Sequence, residues 1–238
     1  MLNFKVIKMP KAKKSGTVYG IGQSKGGAGK TTFALHMAVA LTESGHDVLA
    51  LDSDYTNNHL LRLLRLRSQT LKDNPELGPR AIRSMVELSH RKLTETVMKA
   101  RAEGISVVID VSAAHNELFL TAMAVADVVI MPTRQGYLDK DAWERLSPYL
   151  DVVADSRKAR GRDRAKLYSV LTDFRPSQIG RALQEGMEAE KKITFLGTVP
   201  HSDRLAKSTY EGFAFWEACP NAPQAMALKD MMHRCIRR

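Results

Sequence analysis

Unbroken apolar runs of strand length recur along the chain. Residues 17–23 (TVYGIGQ), 47–52 (DVLALD), 105–111 (ISVVIDV), 127–132 (DVVIMP), 166–172 (KLYSVLT) and 193–199 (ITFLGTV) are the six that stand out. Strands without a polar face belong in a sheet covered on both sides. Between them the apolar positions recur at helical spacing. A helix is predicted from Lys30 to about Glu43 on Phe33, Leu35, Ala38, Val39 and Leu41, with Gly45 as its stop. Residues 56–68 read as a second helix, broken by DNPELGP (73–79). From Arg80 to Ala102, the pattern Ile82, Met85, Val86, Leu88, Leu93, Val97 and Met98 predicts one helix or two. Further helices are expected around 138–155, from near Pro176, and over 222–236. This alternation predicts a three-layer α/β/α fold around a mostly parallel twisted sheet. With no internal repeat, residues 17–238 read as one domain. Residues 1–16, with five lysines and a proline, read as a basic, mobile N-terminal arm.

Composition narrows the function classes. A chain of 238 residues, 44% hydrophobic and 26% charged, can bury a substantial core. No apolar run reaches the roughly 18 residues a membrane span needs, and the basic N-terminus lacks the apolar stretch of a signal peptide. A cytoplasmic location is expected. The two cysteines, Cys219 and Cys235, have no metal or redox spacing and read as reduced structural thiols. Thirty-six Lys and Arg against 26 Asp and Glu leave a net charge of +10. Such a surface points to a polyanion partner, either nucleic acid or an acidic membrane.

The stretch IGQSKGGAGKTT (21–32) nearly fits the phosphate-cradling pattern G-x-x-x-x-G-K-[ST], with Ser24 in place of the first glycine. Gly26, Gly27 and Gly29 suffice to aim successive N–H groups at phosphate oxygens, and a helix N-terminus follows. Lys30 would then reach the β- and γ-phosphates, Thr31 would ligate Mg²⁺, and Thr32 would touch the α-phosphate. The run VVID ends in Asp110, the Walker B form that holds Mg²⁺ through water. Asp52 and Asp54 close the second strand, where alternation points them to one side. They could share a site or simply cap the next helix. His115 reads as a loop or capping residue.

The pattern K-G-G-x-G-K-[ST] resembles the deviant Walker A motif of the ParA/MinD family of dimerising ATPases. That resemblance implies ATP and Mg²⁺ as ligands, with Ala28 part of the nucleotide loop. It makes Lys25 a residue that crosses a homodimer interface to the partner's nucleotide. DSDYTNN (52–58) resembles the family's D-x-D-P-Q-G-N. By that match Asp52 holds a Mg²⁺-bound water, Asp54 positions the attacking water, and Asn58 falls on the family's asparagine. Tyr55 and Thr56 replace Pro-Gln. ADVVIMPTRQGYLDKDAW (126–143) resembles the segment that passes the dimer interface. GTVPHSDRLAKSTYEG (197–212) resembles the one closing over adenine, with Pro200 and Arg204 on its proline and arginine. The resemblance spans about residues 17–215 and implies slow intrinsic turnover.

Family branches differ in their terminal and cysteine features. The bridging-cluster cysteines of nitrogenase-like reductases are absent. Near the C-terminus, Leu228, Met231, Met232, Cys235 and Ile236 form an apolar stripe flanked by Lys229, Arg234, Arg237 and Arg238. It reads as a closing helix packed on the sheet or as a MinD-like membrane helix. The segment DSRKARGRDRAK (155–166) places Arg157, Lys158, Arg160, Arg162 and Arg164 together without aromatic residues. It reads as a sequence-independent phosphate grip or as a solvated loop. The expected function is a small, nucleoid-associated partition ATPase. Its ATP-bound dimer holds DNA, and a ParB-like centromere-binding partner triggers release. The alternatives are a VirC-type ATPase that recruits a DNA-transfer complex, and a membrane-associated positioning ATPase.

Overall fold

The computed structural model describes residues 15–23, 25–54, 57–74, 82–111, 117–136, 151, 155, 157–158 and 161–236. Seven strands make one sheet: β1 (Val18–Ile21), β2 (Val48–Asp52), β3 (Arg83–Val86), β4 (Ser106–Asp110), β5 (Val128–Arg134), β6 (Lys166–Phe174) and β7 (Thr194–Pro200). Their order is β3-β2-β4-β1-β5-β6-β7, and every pairing is parallel. The described helices are α1 (Lys30–Glu43), α2 (His59–Asp73), α3 (His90–Ala102), α4 (Glu117–Val125), α5 (Gln178–Ala189), α6 (Asp203–Tyr210), α7 (Phe215–Ala218) and α8 (Pro223–Ile236).

The predicted strands all form, and alternate residues sort to the two faces. Tyr19 and Ile21 of β1 join a core built with α1, α2, α7 and α8, whereas Val18 joins the core of α3 and α4. Helix α1 lies deep in the first core, with Phe33 and every residue from Ala34 to Leu41 buried. Helix α8 buries Ala225, Leu228, Met231, Met232 and Cys235 against the same core. The apolar stripe seen in the sequence is therefore the packing face of the closing helix. No helix among the described residues is long and apolar enough to cross a membrane.

The 80–102 pattern needs correction. Residues 83–86 form edge strand β3, paired from Leu49↔Arg83 to Asp52↔Val86, and helix α3 starts only at His90. The Ile82, Met85 and Val86 spacing mimics a helix, but β3 alternates exposed and half-buried positions, as an edge strand does. Ser89 accepts a hydrogen bond from Lys92 N and sets where α3 begins. Helices α4 and α6 were not anticipated. Most of the helix expected around 138–155, and residues 1–14 of the N-terminal arm, lie outside the described residues. The arm's last residues are anchored. Gly16 N donates to Arg101 O, and a Cβ at Gly16 would lie 1.8 Å from Ile105 O, so only glycine fits there.

The topology decides where a ligand can sit. Chain order reverses at β1, between β4 and β5, and a crevice opens beyond the carboxyl ends of strands at such a switch point.

Candidate functional site

The loop after β1 crosses that crevice and turns into α1. Gly27 (φ 73°) and Gly29 (φ 94°) occupy the left-handed region, where a side chain would be strained. Helices α3, α5 and α6 each begin with a serine whose side chain accepts a backbone N–H. Helix α1 begins at Gly29 with no side-chain cap. Glycine offers no side-chain cap to the first N–H groups of this helix, an arrangement suited to an anion. Three side chains brace the loop and were not picked out from the sequence. Thr172 of β6 donates to Ala28 O at 3.0 Å, and Gln23 donates to Thr133 Oγ1 of β5 at 2.9 Å.

Lys30 is buried, and its ammonium donates to Lys25 O at 2.9 Å. Burial lowers its pKa, an effect opposed by the Asp110 and Asp54 carboxylates nearby. Lys25 is half-buried, Gly26 and Gly27 are exposed, and Thr31 and Thr32 are half-buried. Thr31 Oγ1 donates to Asp110 Oδ2 at 2.7 Å, joining the start of α1 to the end of β4. Asp52 and Asp110 are register partners on β2 and β4, and both are almost fully buried. Burial pushes Asp110 up to about 7 against the Thr31 hydrogen bond, and neighbouring Asp52 adds to the rise. Asp52 is also raised, chiefly by burial. Ser53 donates to Asp110 O at 2.8 Å and closes the gap between the two strand ends.

Asp52 also caps a helix, as one sequence reading allowed. Its Oδ1 accepts from Asp54 N at 3.0 Å and its Oδ2 from Leu61 N, in the first turn of α2, at 3.1 Å. Asp54 is half-buried and electrostatically coupled to Lys30, Asp52 and Asp110, so the four charges share one site. Asn58, in the left-handed region at φ 47°, precedes α2 and has a buried Oδ1 with no partner. Two raised, buried carboxylates beside a hydroxyl form a hard-oxygen set that fits Mg²⁺. No three His, Cys, Asp or Glu among the described residues form a self-contained metal site. A cation here would share its coordination with phosphates, as Mg²⁺ commonly does.

Beyond the loop lies a cleft of about 340 Å³, lined by Gly27, Gly29, Thr32, Phe33, Thr172 and Pro200, among others. That volume is in the range of small-ligand sites. Thr209 lines it with a buried hydroxyl that has no hydrogen-bond partner. At the rim, Asp173 (φ 53°) accepts from Arg134 at 2.6 Å and pairs with His201 Nδ1 at 2.5 Å. These two hydrogen bonds hold the Asp173 pKa below its ordinary value despite partial burial.

The basic segment divides. Arg157 is only 3% exposed; its guanidinium donates to Asp163 O and Ala126 O and pairs with Asp127. It therefore cannot grip an outside phosphate, which corrects its assignment to a DNA surface. Asp127 also binds Arg101 at 2.8 Å and Arg162 at 3.3 Å, and accepts from Val18 N, so this cluster fastens the starts of β1 and β5. Lys158 and Arg164 are exposed. All of these lie at the end of the sheet opposite the crevice. Arg160, the Tyr55–Thr56 pair and His115 lie outside the described residues.

Comparisons with known proteins agree with this geometry. The chain is 25% identical to the chromosome-partitioning ATPase Soj of Thermus thermophilus over 242 residues, covering 92% of this chain and 94% of that protein. It is 28% identical to protein ParA of Rhizobium radiobacter over 139 residues, 58% of this chain and 57% of that protein, so this match spans little more than half the relative's length. An ATP complex of a McdA variant from Cyanothece shares the fold with a TM-score of 0.71 at 17% identity, covering 94% of this chain and 97% of that one. MinD of Aquifex aeolicus gives 0.70 at 20% identity, over 92% and 96%. The family model for the CobQ/CobB/MinD/ParA nucleotide binding domain matches residues 20–213. This covers the glycine-rich loop, both aspartate-bearing strand ends and the cleft rim, and the chain belongs to that family.

Proposed function

We propose that this chain is a Mg²⁺-dependent ATPase of the ParA type that pairs with a second copy when ATP is bound and holds DNA without regard to sequence. The observation that carries this reading is the meeting, at an uncapped helix start, of Lys30, the Thr31–Asp110 pair and the Asp52–Asp54 pair. On this reading the N–H groups of residues 26–32 cradle the phosphates. Lys30 exchanges the Lys25 carbonyl for phosphate oxygens. Thr31 and Asp110 would hold Mg²⁺, with Asp52 behind a bound water. The bound ion would supply charge neutralisation at the phosphates and help order the reacting groups.

Asp54 orients the water that attacks the γ-phosphorus. The bond from that phosphorus to the ADP oxygen breaks, yielding ADP and phosphate with release of a proton. Lys25, half-buried beside the exposed Gly26 and Gly27, would reach a partner's nucleotide. Pro200 and the α6 residues Leu205, Ala206 and Thr209 line the cleft, where the base would sit. DNA would be held at the end of the sheet opposite the crevice by exposed groups such as Lys158 and Arg164, with a ParB-like partner stimulating turnover. The test is ATP binding and phosphate release by the wild-type chain and by Lys30→Ala, with and without Mg²⁺. Loss of both activities in the variant is expected. Equal hydrolysis by the two proteins would refute the assignment.

A further inference from the structure

The rim of the cleft carries a cation that the reading above leaves without a task. Arg134 ends β5, and its side chain is 49% exposed. Its guanidinium projects over the glycine loop, where a methyl group added at Gly27 would sit 3.8 Å from Nη1. Arg134 and Gly27 line the same cleft. Among the described residues the hydrogen-bond partner of Arg134 is Asp173, reached through Nη2. A guanidinium offers five donors in a planar fork, and among the described residues no carboxylate or carbonyl accepts from Nη1 or Nε. Asp173 in turn is held from two sides, with His201 on Oδ1 and Arg134 on Oδ2.

We propose that Arg134 is a second nucleotide-phosphate ligand, held in reserve by Asp173 until the phosphate chain enters the cleft. The inference rests on reading this cleft as the nucleotide site. The Asp173 carboxylate orients the guanidinium above the loop, on the side facing the cleft. When phosphate arrives, the guanidinium turns its unused edge to it, because a phosphate offers bidentate acceptors of greater charge than one carboxylate oxygen. Asp173 is not stranded by that move. His201 still satisfies Oδ1 and lies between Asp173 and Asp203, 3.4 Å from the latter. The device makes Asp173 a competitor of the ligand and Arg134 its helper, so opposite signs are expected on replacing them. A purely structural ion pair would give the same sign for both.

The experiment measures ADP affinity by calorimetry for the wild type, Arg134→Ala, Arg134→Lys, Asp173→Asn and Lys30→Ala, each checked for folding by circular dichroism. ADP is the probe because it separates binding from turnover. Arg134→Ala should weaken ADP binding by about tenfold or more, the scale of a charge-assisted hydrogen bond. Arg134→Lys should restore part of that loss, and Asp173→Asn should bind ADP as tightly as the wild type or tighter. Equal weakening in Arg134→Ala and Asp173→Asn would overturn the proposal in favour of a structural pair. Wild-type affinity in Arg134→Ala, with binding lost in Lys30→Ala, would overturn it while leaving the nucleotide site intact. Failure of the wild type to bind ADP would remove both.

Discussion

Lowering the pH should loosen one joint of this fold in a way that can be isolated. His36 sits in α1 with no exposed surface. Its two ring nitrogens meet backbone groups of opposite kind. Nδ1 lies 2.7 Å from Thr32 O, and Phe215 N donates to Nε2 at 2.9 Å. The ring must therefore be neutral, with its proton on Nδ1. Protonating Nε2 would set one N–H against another. Burial, first, and the nearby Arg67 guanidinium push its pKa down to about 4 from an ordinary 6.5, against the Thr32 carbonyl that favours the charged ring. Since the unfolded chain takes up this proton first, the contribution is complete above pH 6.5 and is lost as pH falls toward 4. The full gap corresponds to about 3 kcal/mol, of which about 2 kcal/mol disappears between about pH 7.5 and pH 5.

Asp110 pulls the other way. Its pKa is pushed up to about 7, so in the ligand-free protein stability rises as pH falls through that value. The wild-type profile alone would therefore mislead. Urea unfolding of the wild type and His36→Gln should be compared in chelator, without nucleotide, at both pH values. The stability advantage of the wild type should shrink by about 2 kcal/mol at the lower pH. A pH-independent difference, or a His36 proton resonance titrating near 6.5 in the folded protein, would refute the reasoning.

Three further outcomes follow from the geometry. Arg67 is fully buried and grips Glu217 with two 2.7 Å hydrogen bonds, so Glu217→Ala should cost about 3–5 kcal/mol in urea unfolding. A loss under about 1 kcal/mol would contradict the assigned role. Asp54→Ala should stop phosphate release while leaving ATP-dependent pairing intact, as read by phosphate assay and light scattering; normal turnover would exclude Asp54 from catalysis. Reversing both Lys158 and Arg164 to Glu should weaken DNA retention and flatten its log–log salt slope by about 2, whereas unchanged retention would move the DNA surface elsewhere.

The sheet was legible because buried parallel strands leave unbroken apolar runs, and the glycine loop because its chemistry is local to a dozen residues. Edge strand β3 was not, since Arg83, Ser84, Met85 and Val86 are too few and too polar to separate from the helix that follows. The run around Arg157 shows a different limit. Linear charge density cannot reveal that two arginines of the cluster, Arg157 and Arg162, turn to Asp127. Thr172, Arg134, Asp173 and His201 were hidden for another reason. They come from the ends of β5 and β6 and the residue after β7, and only the parallel topology brings them to the same cleft. Asp52 was read as either a site aspartate or a helix cap, and its bond to Leu61 N beside its register partner Asp110 shows that capping does not remove a carboxylate from the crevice.

Pairing controlled by nucleotide is the central feature of the proposed cycle, and the mass of the particle in solution tests it directly. With Mg²⁺ and a saturating non-hydrolysable ATP analogue, light scattering should report two chains for the wild type and one for Lys25→Ala, both having bound nucleotide. A wild-type protein that binds the analogue and stays a single chain would contradict it.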